Sequence, residues 1–279
     1  MLQKFDERNR DLIVNIGGEL VHRDQSGVSP FDSVVQGGDG VWEGLRLYDG
    51  RIFRLIEHLD RLQDSAKALA FTDIPSHKQI IHQIRRTLKA NGMVDGIHVR
   101  LTLTRGVKIT SGMDPRLNQS GHTLIVLAEF KSPVYDRGGL SFITSSIRRF
   151  PPDCLDPKIH HNNLIQSILA KIEANHAGVD QALMLDKNGF IAEAHGTHVF
   201  FVRRDGVFKP DTFRGKPPVD GKRIWWPLER IHPRENVLEV LLRAEREHLH
   251  VHLRAQIKVW MSDGWNGRAR APGAPRCRA

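Results

Sequence analysis

Cysteine and long apolar runs are both scarce in this chain of 279 residues, and each shortage excludes a class of protein. Only Cys154 and Cys277 occur, and neither has metal-ligand spacing, which argues against a disulfide framework and a cysteine metal site. No apolar run approaches the roughly 20 residues that span a bilayer. The charged start "MLQKFDERNRDLIVN" is unlike a secretory signal. We therefore expect a reduced, cytoplasmic protein that has no membrane partner.

The positive charge is concentrated at one end of the chain. The formal net charge is +9, yet residues 203–279 carry 17 lysines and arginines against 9 acidic residues, whereas the first 202 residues carry 24 against 23. A nearly neutral main body lacks the electrostatic footprint of a nucleic-acid binder. The basic end contains His248, His250 and His252, but no carboxylate or cysteine completes a metal-ligand set with them. We expect neither a nucleic-acid partner nor a metal.

The hydrophobic periodicity predicts two halves, each mixing helices and strands. The polar stretch "KSPVYDRGG" is short and contains Pro and Gly, which is typical of a linker. The predicted organisation is therefore a small N-terminal α+β domain over residues 1–130, a linker over 131–139 and a C-terminal domain over 140–279.

Local signals predict several individual elements. Asp49-Gly50 stands between two alternating runs, which predicts a hairpin turn. Ser76 and Gln79 form a capping-box pattern at the start of a helix. In the second half, a helix is predicted over residues 161–177. Its predicted inward-facing side chains are Leu164, Ile168, Leu169 and Ile172.

Three charged side chains together suit the chemistry of pyridoxal phosphate (PLP). A lysine amine such as that of Lys158 can bond the cofactor aldehyde. A carboxylate such as that of Glu193 can keep the pyridine nitrogen protonated. A guanidinium such as that of Arg61 can hold the phosphate through two parallel hydrogen bonds. Taken singly, each residue also fits a solvated surface position or an ordinary ion pair.

Longer motifs extend this interpretation to most of the chain. The stretches "GGDGVWEGLRLYDG", "FRLIEHLDRLQDSAKAL", "VRLTLTRG" and "KIHHNNLIQSILAKIEANHAGVDQALMLDKNGFIAEAHGTHVFFV" resemble the class IV aminotransferases over roughly residues 12 to 203. That resemblance implies the two-domain fold of fold type IV PLP enzymes, as in D-amino-acid aminotransferase, with α+β and α/β parts. It also implies that Lys158 is the lysine that attaches the cofactor, Glu193 the partner of the pyridine nitrogen and Arg61 a phosphate ligand.

The resemblance gives three further residues an expected role. Arg100 matches a position near the substrate carboxylate, although a cross-strand ion pair is the competing interpretation. Trp42 matches an aromatic position that faces the substrate side chain, and core packing is the competing interpretation. Asn163 stands where many branched-chain enzymes have a tyrosine that hydrogen bonds the PLP hydroxyl. His198 also departs from the family, which usually has asparagine there.

The expected activity is transamination between a hydrophobic, branched-chain type amino acid and a 2-oxo acid such as 2-oxoglutarate. D-amino-acid transamination, an aminodeoxychorismate lyase-like reaction and a degraded, inactive member remain alternatives. Members of this family are homodimers or larger, so the resemblance implies a homo-oligomer.

The last quarter of the chain departs from the family pattern. Relatives continue with a Gly-Ile-Thr-Arg-like loop and a Gly-Thr turn that hold the PLP phosphate, and neither occurs in residues 204–279. We interpret this segment as the product of reading-frame errors. The alternative is a diverged tail with its own role, such as anion binding.

Overall fold

A computed structural model gives the architecture of most of the chain. The predicted linker lies largely outside the described residues, and the predicted frame-shifted segment lies almost wholly outside them, together with the three tail histidines. The residues described are 3–132, 140–189 and 191–198, with the backbone of 201–203 and 206–208.

The chain divides into two compact units. The first unit comprises residues 2–132 together with 152–164, and the second comprises 133–151 together with 165–279. The segment 152–164 therefore belongs with the N-terminal half, although it follows the predicted linker in sequence.

An antiparallel sheet of six strands forms the centre of the first unit, in the order β2-β1-β6-β5-β3-β4. Helices pack on one face of this sheet and bury its apolar side chains. The strands are β1 (Ile13–Ile16), β2 (Glu19–His22), β3 (Gly40–Tyr48), β4 (Arg51–Ile52), β5 (Ile97–Thr104) and β6 (Thr123–Phe130). The helices are α1 (Ser33–Gly37), α2 (Leu55–Ala68), α3 (His77–Ala90) and α4 (Pro152–Leu155).

The local signals of the first half are confirmed. Asp49 and Gly50 connect β3 to β4 with φ values of 46° and 74°, both in the left-handed region that a tight hairpin turn uses. At the start of α3, Ser76 N–H donates to Gln79 Oε1 at 2.8 Å and Ser76 Oγ accepts from Gln79 N–H. Both ends of the predicted capping box are therefore formed.

The second unit contains a sheet of three strands in the order β7-β8-β9. A parallel pair needs a crossover connection, and α5 supplies it between β7 and β8. The elements are β7 (Phe142–Arg148), α5 (Ile165–His176), β8 (Gln181–Leu185) and β9 (Ile191–Ala194), followed by the two-stranded β10 (Phe201–Arg203) and β11 (Gly206–Phe208).

The predicted helix over residues 161–177 is wrong at its start and in its buried face. The helix begins at Ile165, because residues 160–162 hydrogen bond to β3 and are extended. Ile168, Leu169 and Ile172 are exposed. The residues of α5 that are buried against the sheet are Gln166, Ala170 and Ala174.

Two absences hold for the part of the chain that the structure describes. No described helix has the length and apolar character needed to cross a membrane. No described group of three or more His, Cys, Asp or Glu residues is arranged to hold a metal ion.

Candidate active site

Lys158 lies in a turn between α4 and an extended segment, six residues before the last residue that precedes α5. Its backbone N–H donates to Asp156 Oδ1 at 2.9 Å. Two residues later, His160 O accepts from Trp42 N–H on β3 at 2.9 Å. The Lys158 side chain is half-buried, and its Nζ has no hydrogen bond to any described residue. The backbone around Lys158 is therefore fixed while its amine remains available.

Arg61 is held by a buried carboxylate that belongs to Glu43 on β3. Glu43 is completely buried, and Arg61 Nε donates to its Oε1 at 2.6 Å while Arg61 Nη2 donates to its Oε2. His58 Nδ1 lies 2.7 Å from Oε2, and His160 Nδ1 lies 3.2 Å from Oε1. We call these four residues the Glu43 cluster. It links α2, β3 and the segment that follows Lys158.

The charges of the Glu43 cluster are set by a balance between burial and pairing. Burial alone would raise the pKa of Glu43, but hydrogen bonds from Arg61, His160 and His58 outweigh it and hold the pKa well below its usual value. Burial lowers the pKa of His160, although the adjacent carboxylate opposes this shift. At neutral pH Glu43 is therefore an anion, and His160 is a neutral imidazole whose Nδ1–H faces it.

Arg100 and Trp42 contact each other on neighbouring strands. The guanidinium carbon of Arg100 lies 3.5 Å from the centroid of the Trp42 ring, and Arg100 Nη2 donates to Asn162 Oδ1 at 3.2 Å. No described carboxylate forms a salt bridge with Arg100, so the cross-strand ion pair is not present there. Burial lowers the pKa of Arg100 to about 10, against the attraction of Glu43. Arg100 thus remains a partly desolvated cation at neutral pH.

The other contacts of Trp42 explain why its ring is only half-buried yet well held. Its Nε1–H donates to His161 O at 3.1 Å. Its ring centroid lies 4.1 Å from that of His160. Trp42 is therefore packed against polar neighbours and is not a core side chain.

Asn163 contacts the turn that precedes β3. Its Nδ2 donates to Gly38 O at 3.2 Å, and its backbone N–H donates to His161 Nδ1 at 3.1 Å. Its expected hydrogen bond to the PLP hydroxyl stays a prediction.

Glu193 lies on β9 of the second unit, beside charged and chargeable neighbours. Arg149, directly after β7, forms a salt bridge with Glu193 Oε1, and His198 Nδ1 lies 3.2 Å from Oε2. Arg149 also donates from Nη1 to Ser167 Oγ at 3.1 Å, which fixes its guanidinium. The predicted pyridine-nitrogen partner is thus a carboxylate that a mostly buried arginine orients.

The sequence reasoning missed Glu43, His58, His160 and Arg149. A signal for Glu43 was present, since Val41, Glu43 and Leu45 alternate on one face of a strand whose other members are apolar. A charge at such a position needs a buried partner. The motif "SSIRRF" gave no comparable signal for Arg149.

The sheets and these side chains fit one class of protein. The family model described as amino-transferase class IV matches residues 40–216, which is more than half of the chain. The chain therefore belongs to the class IV aminotransferase family.

Individual relatives are consistent with this assignment. The chain is 58% identical over 203 residues to branched-chain-amino-acid aminotransferase-like protein 2 of Arabidopsis thaliana, a match that covers 72% of this chain but 36% of that protein. It is 43% identical over 197 residues to a putative branched-chain-amino-acid aminotransferase of Methanocaldococcus jannaschii, covering 70% of this chain and 67% of that one. The chain thus matches only about a third of the Arabidopsis relative.

A solved structure supports the fold. A branched-chain amino acid aminotransferase of T.th., complexed with N-(5'-phosphopyridoxyl)-L-glutamate, is 30% identical, with a TM-score of 0.65. The match covers 72% of this chain and 67% of that one. The fold is that of fold type IV aminotransferases.

Proposed function

We propose that this chain is a PLP-dependent aminotransferase that acts on hydrophobic, branched-chain type amino acids and a 2-oxo acid such as 2-oxoglutarate. Family membership and the names of its relatives support this reaction. The observation that carries the proposal is Lys158, whose backbone is fixed on both sides while its half-buried amine has no hydrogen bond to a described residue. An amine in that condition is ready to react with an aldehyde.

The described side chains have the chemistry that PLP needs. Bound PLP supplies an electron sink for charge that develops at the α-carbon of an amino acid. Lys158 is the proposed attachment residue, and once released it moves the proton at the α-carbon. Arg61 uses Nε and Nη2 on Glu43, which leaves Nη1 for a phosphate oxygen. Glu193, oriented by Arg149, is the proposed partner of the pyridine nitrogen.

Arg100 and Trp42 are the proposed substrate contacts. Arg100 is a desolvated cation without a described carboxylate partner, which favours binding of a substrate carboxylate. The Trp42 ring offers apolar area for a hydrophobic side chain. We also expect a homodimer or larger homo-oligomer, as in the family.

An absorption experiment tests the proposal. Purified protein is incubated with PLP, and its visible spectrum is recorded before and after addition of L-leucine, and separately D-alanine. We expect a visible band of lysine-bound PLP that L-leucine bleaches and D-alanine does not. The band should be lost in Lys158→Ala and kept in the control Lys89→Ala, which changes an exposed lysine of α3.

Each other outcome identifies a different alternative. Bleaching by D-alanine alone would favour a D-amino-acid aminotransferase. Absence of the band in folded wild-type protein would mean a degraded member that no longer holds the cofactor.

A further inference from the structure

Glu43 is the most completely buried charged side chain among the described residues of the first unit, and its surroundings need a functional account. Its carboxylate is surrounded by one guanidinium and two imidazoles, which come from α2 and from the segment after Lys158. Replacing a buried ion pair by apolar side chains is often neutral or stabilising, so stability alone is weak grounds for keeping a charge there.

The geometry of the ion pair restricts Arg61. A guanidinium that donates from Nε and Nη2 to the two oxygens of one carboxylate has a fixed plane and direction. Its remaining Nη1–H bonds then point away from Glu43 in a fixed direction. The Arg61 side chain is only 17% exposed, so little solvent competes for these donors.

The same carboxylate also holds the chain near Lys158. His160 Nδ1 lies 3.2 Å from Glu43 Oε1, and the His160 backbone N–H donates to Ser65 Oγ on α2 at 3.0 Å. His160 is two residues from Lys158. Glu43 therefore fixes, through two different partners, both the guanidinium and the segment that bears the amine.

We propose that Glu43 is a positioning residue that aims the free N–H groups of Arg61 at the phosphate of PLP. This inference rests on the proposed function, because it concerns the ligand of that site. Its signature is selective. Loss of Glu43 should weaken binding of a ligand that carries the phosphate monoester and should leave binding of the same ring without phosphate nearly unchanged.

The test compares the dissociation constants of PLP and pyridoxal for wild-type protein and Glu43→Gln. Loss of one well-placed charge-assisted interaction is expected to weaken PLP binding about 10- to 100-fold. Pyridoxal binding should change less than about 3-fold, because a distorted site would weaken both ligands by similar factors. Glu57→Gln is the matched control, since Glu57 is an exposed glutamate on α2 whose described ion pair is with Arg54.

A second variant keeps the test decisive if Glu43→Gln does not fold. Arg61→Lys retains a cation beside Glu43 but cannot form the two-point geometry. It should show the same selective loss for PLP. Equal weakening of both ligands, or an unchanged preference for PLP, would overturn the inference while leaving the proposed function intact. A wild-type protein that binds neither ligand would overturn both.

Discussion

At the scale of single residues, the main finding is a charge in an apolar row. Glu43 occupies a core-facing position of β3 between Val41 and Leu45. The alternation of the sequence is sufficient to place it there, but it does not identify which cations meet it. Arg61 and His58 lie one turn apart on α2, whereas His160 is more than a hundred residues away, and only the fold brings it to the carboxylate.

We predict that Glu43→Gln destabilises the first unit in a pH-dependent way. The folded-state pKa of Glu43 is lowered, so its contribution is fully present above the unfolded-state pKa, about 4.3, and is lost as the pH falls toward the folded-state value. At pH 7 the variant leaves a buried arginine without its anion, and we expect a loss of about 3–5 kcal/mol in unfolding free energy. Urea denaturation at pH 7, 4 and 3 measures this.

The difference between variant and wild type should narrow as the pH falls below about 4.3. Glu57→Gln should stay within about 0.5 kcal/mol of wild type throughout, as is usual for exposed sites. A gap for Glu43→Gln that is the same at every pH would contradict this account of the carboxylate.

We also predict a separation of substrate binding from cofactor binding at Arg100. Arg100→Met should raise the KM for L-leucine at least about 10-fold, because a charge-assisted pair with the substrate carboxylate is lost. PLP binding, measured by fluorescence quenching, should be nearly unchanged. Arg85→Met, which removes an exposed arginine of α3, is the control. An unchanged KM would instead assign Arg100 a purely structural role beside Trp42.

At the scale of elements, local rules succeeded where the partners were close in sequence. The hairpin at Asp49-Gly50 and the capping box of Ser76 and Gln79 each depend on residues within a few positions of one another. The start of α5 could not be predicted in this way. Residues 160–162 have helix-like spacing, but hydrogen bonds to β3 hold them extended, and β3 precedes them by more than a hundred residues.

The buried face of α5 gives an element-scale prediction. Apolar size favoured Ile168 as a buried residue, yet the sheet accepts the small side chain of Ala170, which is fully buried. Ala170→Leu should overpack this contact and cost about 1–3 kcal/mol in unfolding free energy. Ile168→Ala, at a position 53% exposed, should cost about 0.5 kcal/mol or less. Thermal or chemical denaturation of the two variants checks the ranking, and the reverse order would restore the periodicity-based interpretation.

At the scale of the whole molecule, the family assignment and the unusual tail have to be considered together. The family model matches as far as residue 216, and the basic excess of the chain begins near residue 203. The loop and turn expected to hold the PLP phosphate fall in this last segment and do not occur in its sequence. The proposed contact between Arg61 and the phosphate is therefore of particular importance for this chain.

We predict that the gene carries reading-frame shifts within the codons for residues 204–279. Resequencing should reveal insertions or deletions whose correction restores a Gly-Ile-Thr-Arg-like loop and a Gly-Thr turn. A clean open reading frame that encodes this same sequence would sink the frame-shift interpretation and favour a diverged tail.

The central claim is that Lys158 is the residue that carries the cofactor, and chemical mapping tests it most directly. The protein is incubated with PLP, reduced with borohydride to make the attachment permanent, digested and analysed by mass spectrometry. We predict a phosphopyridoxyl group on Lys158 and on no other lysine in stoichiometric amount. Modification centred on a different lysine, or none above the level of a Lys158→Ala control, would contradict the account.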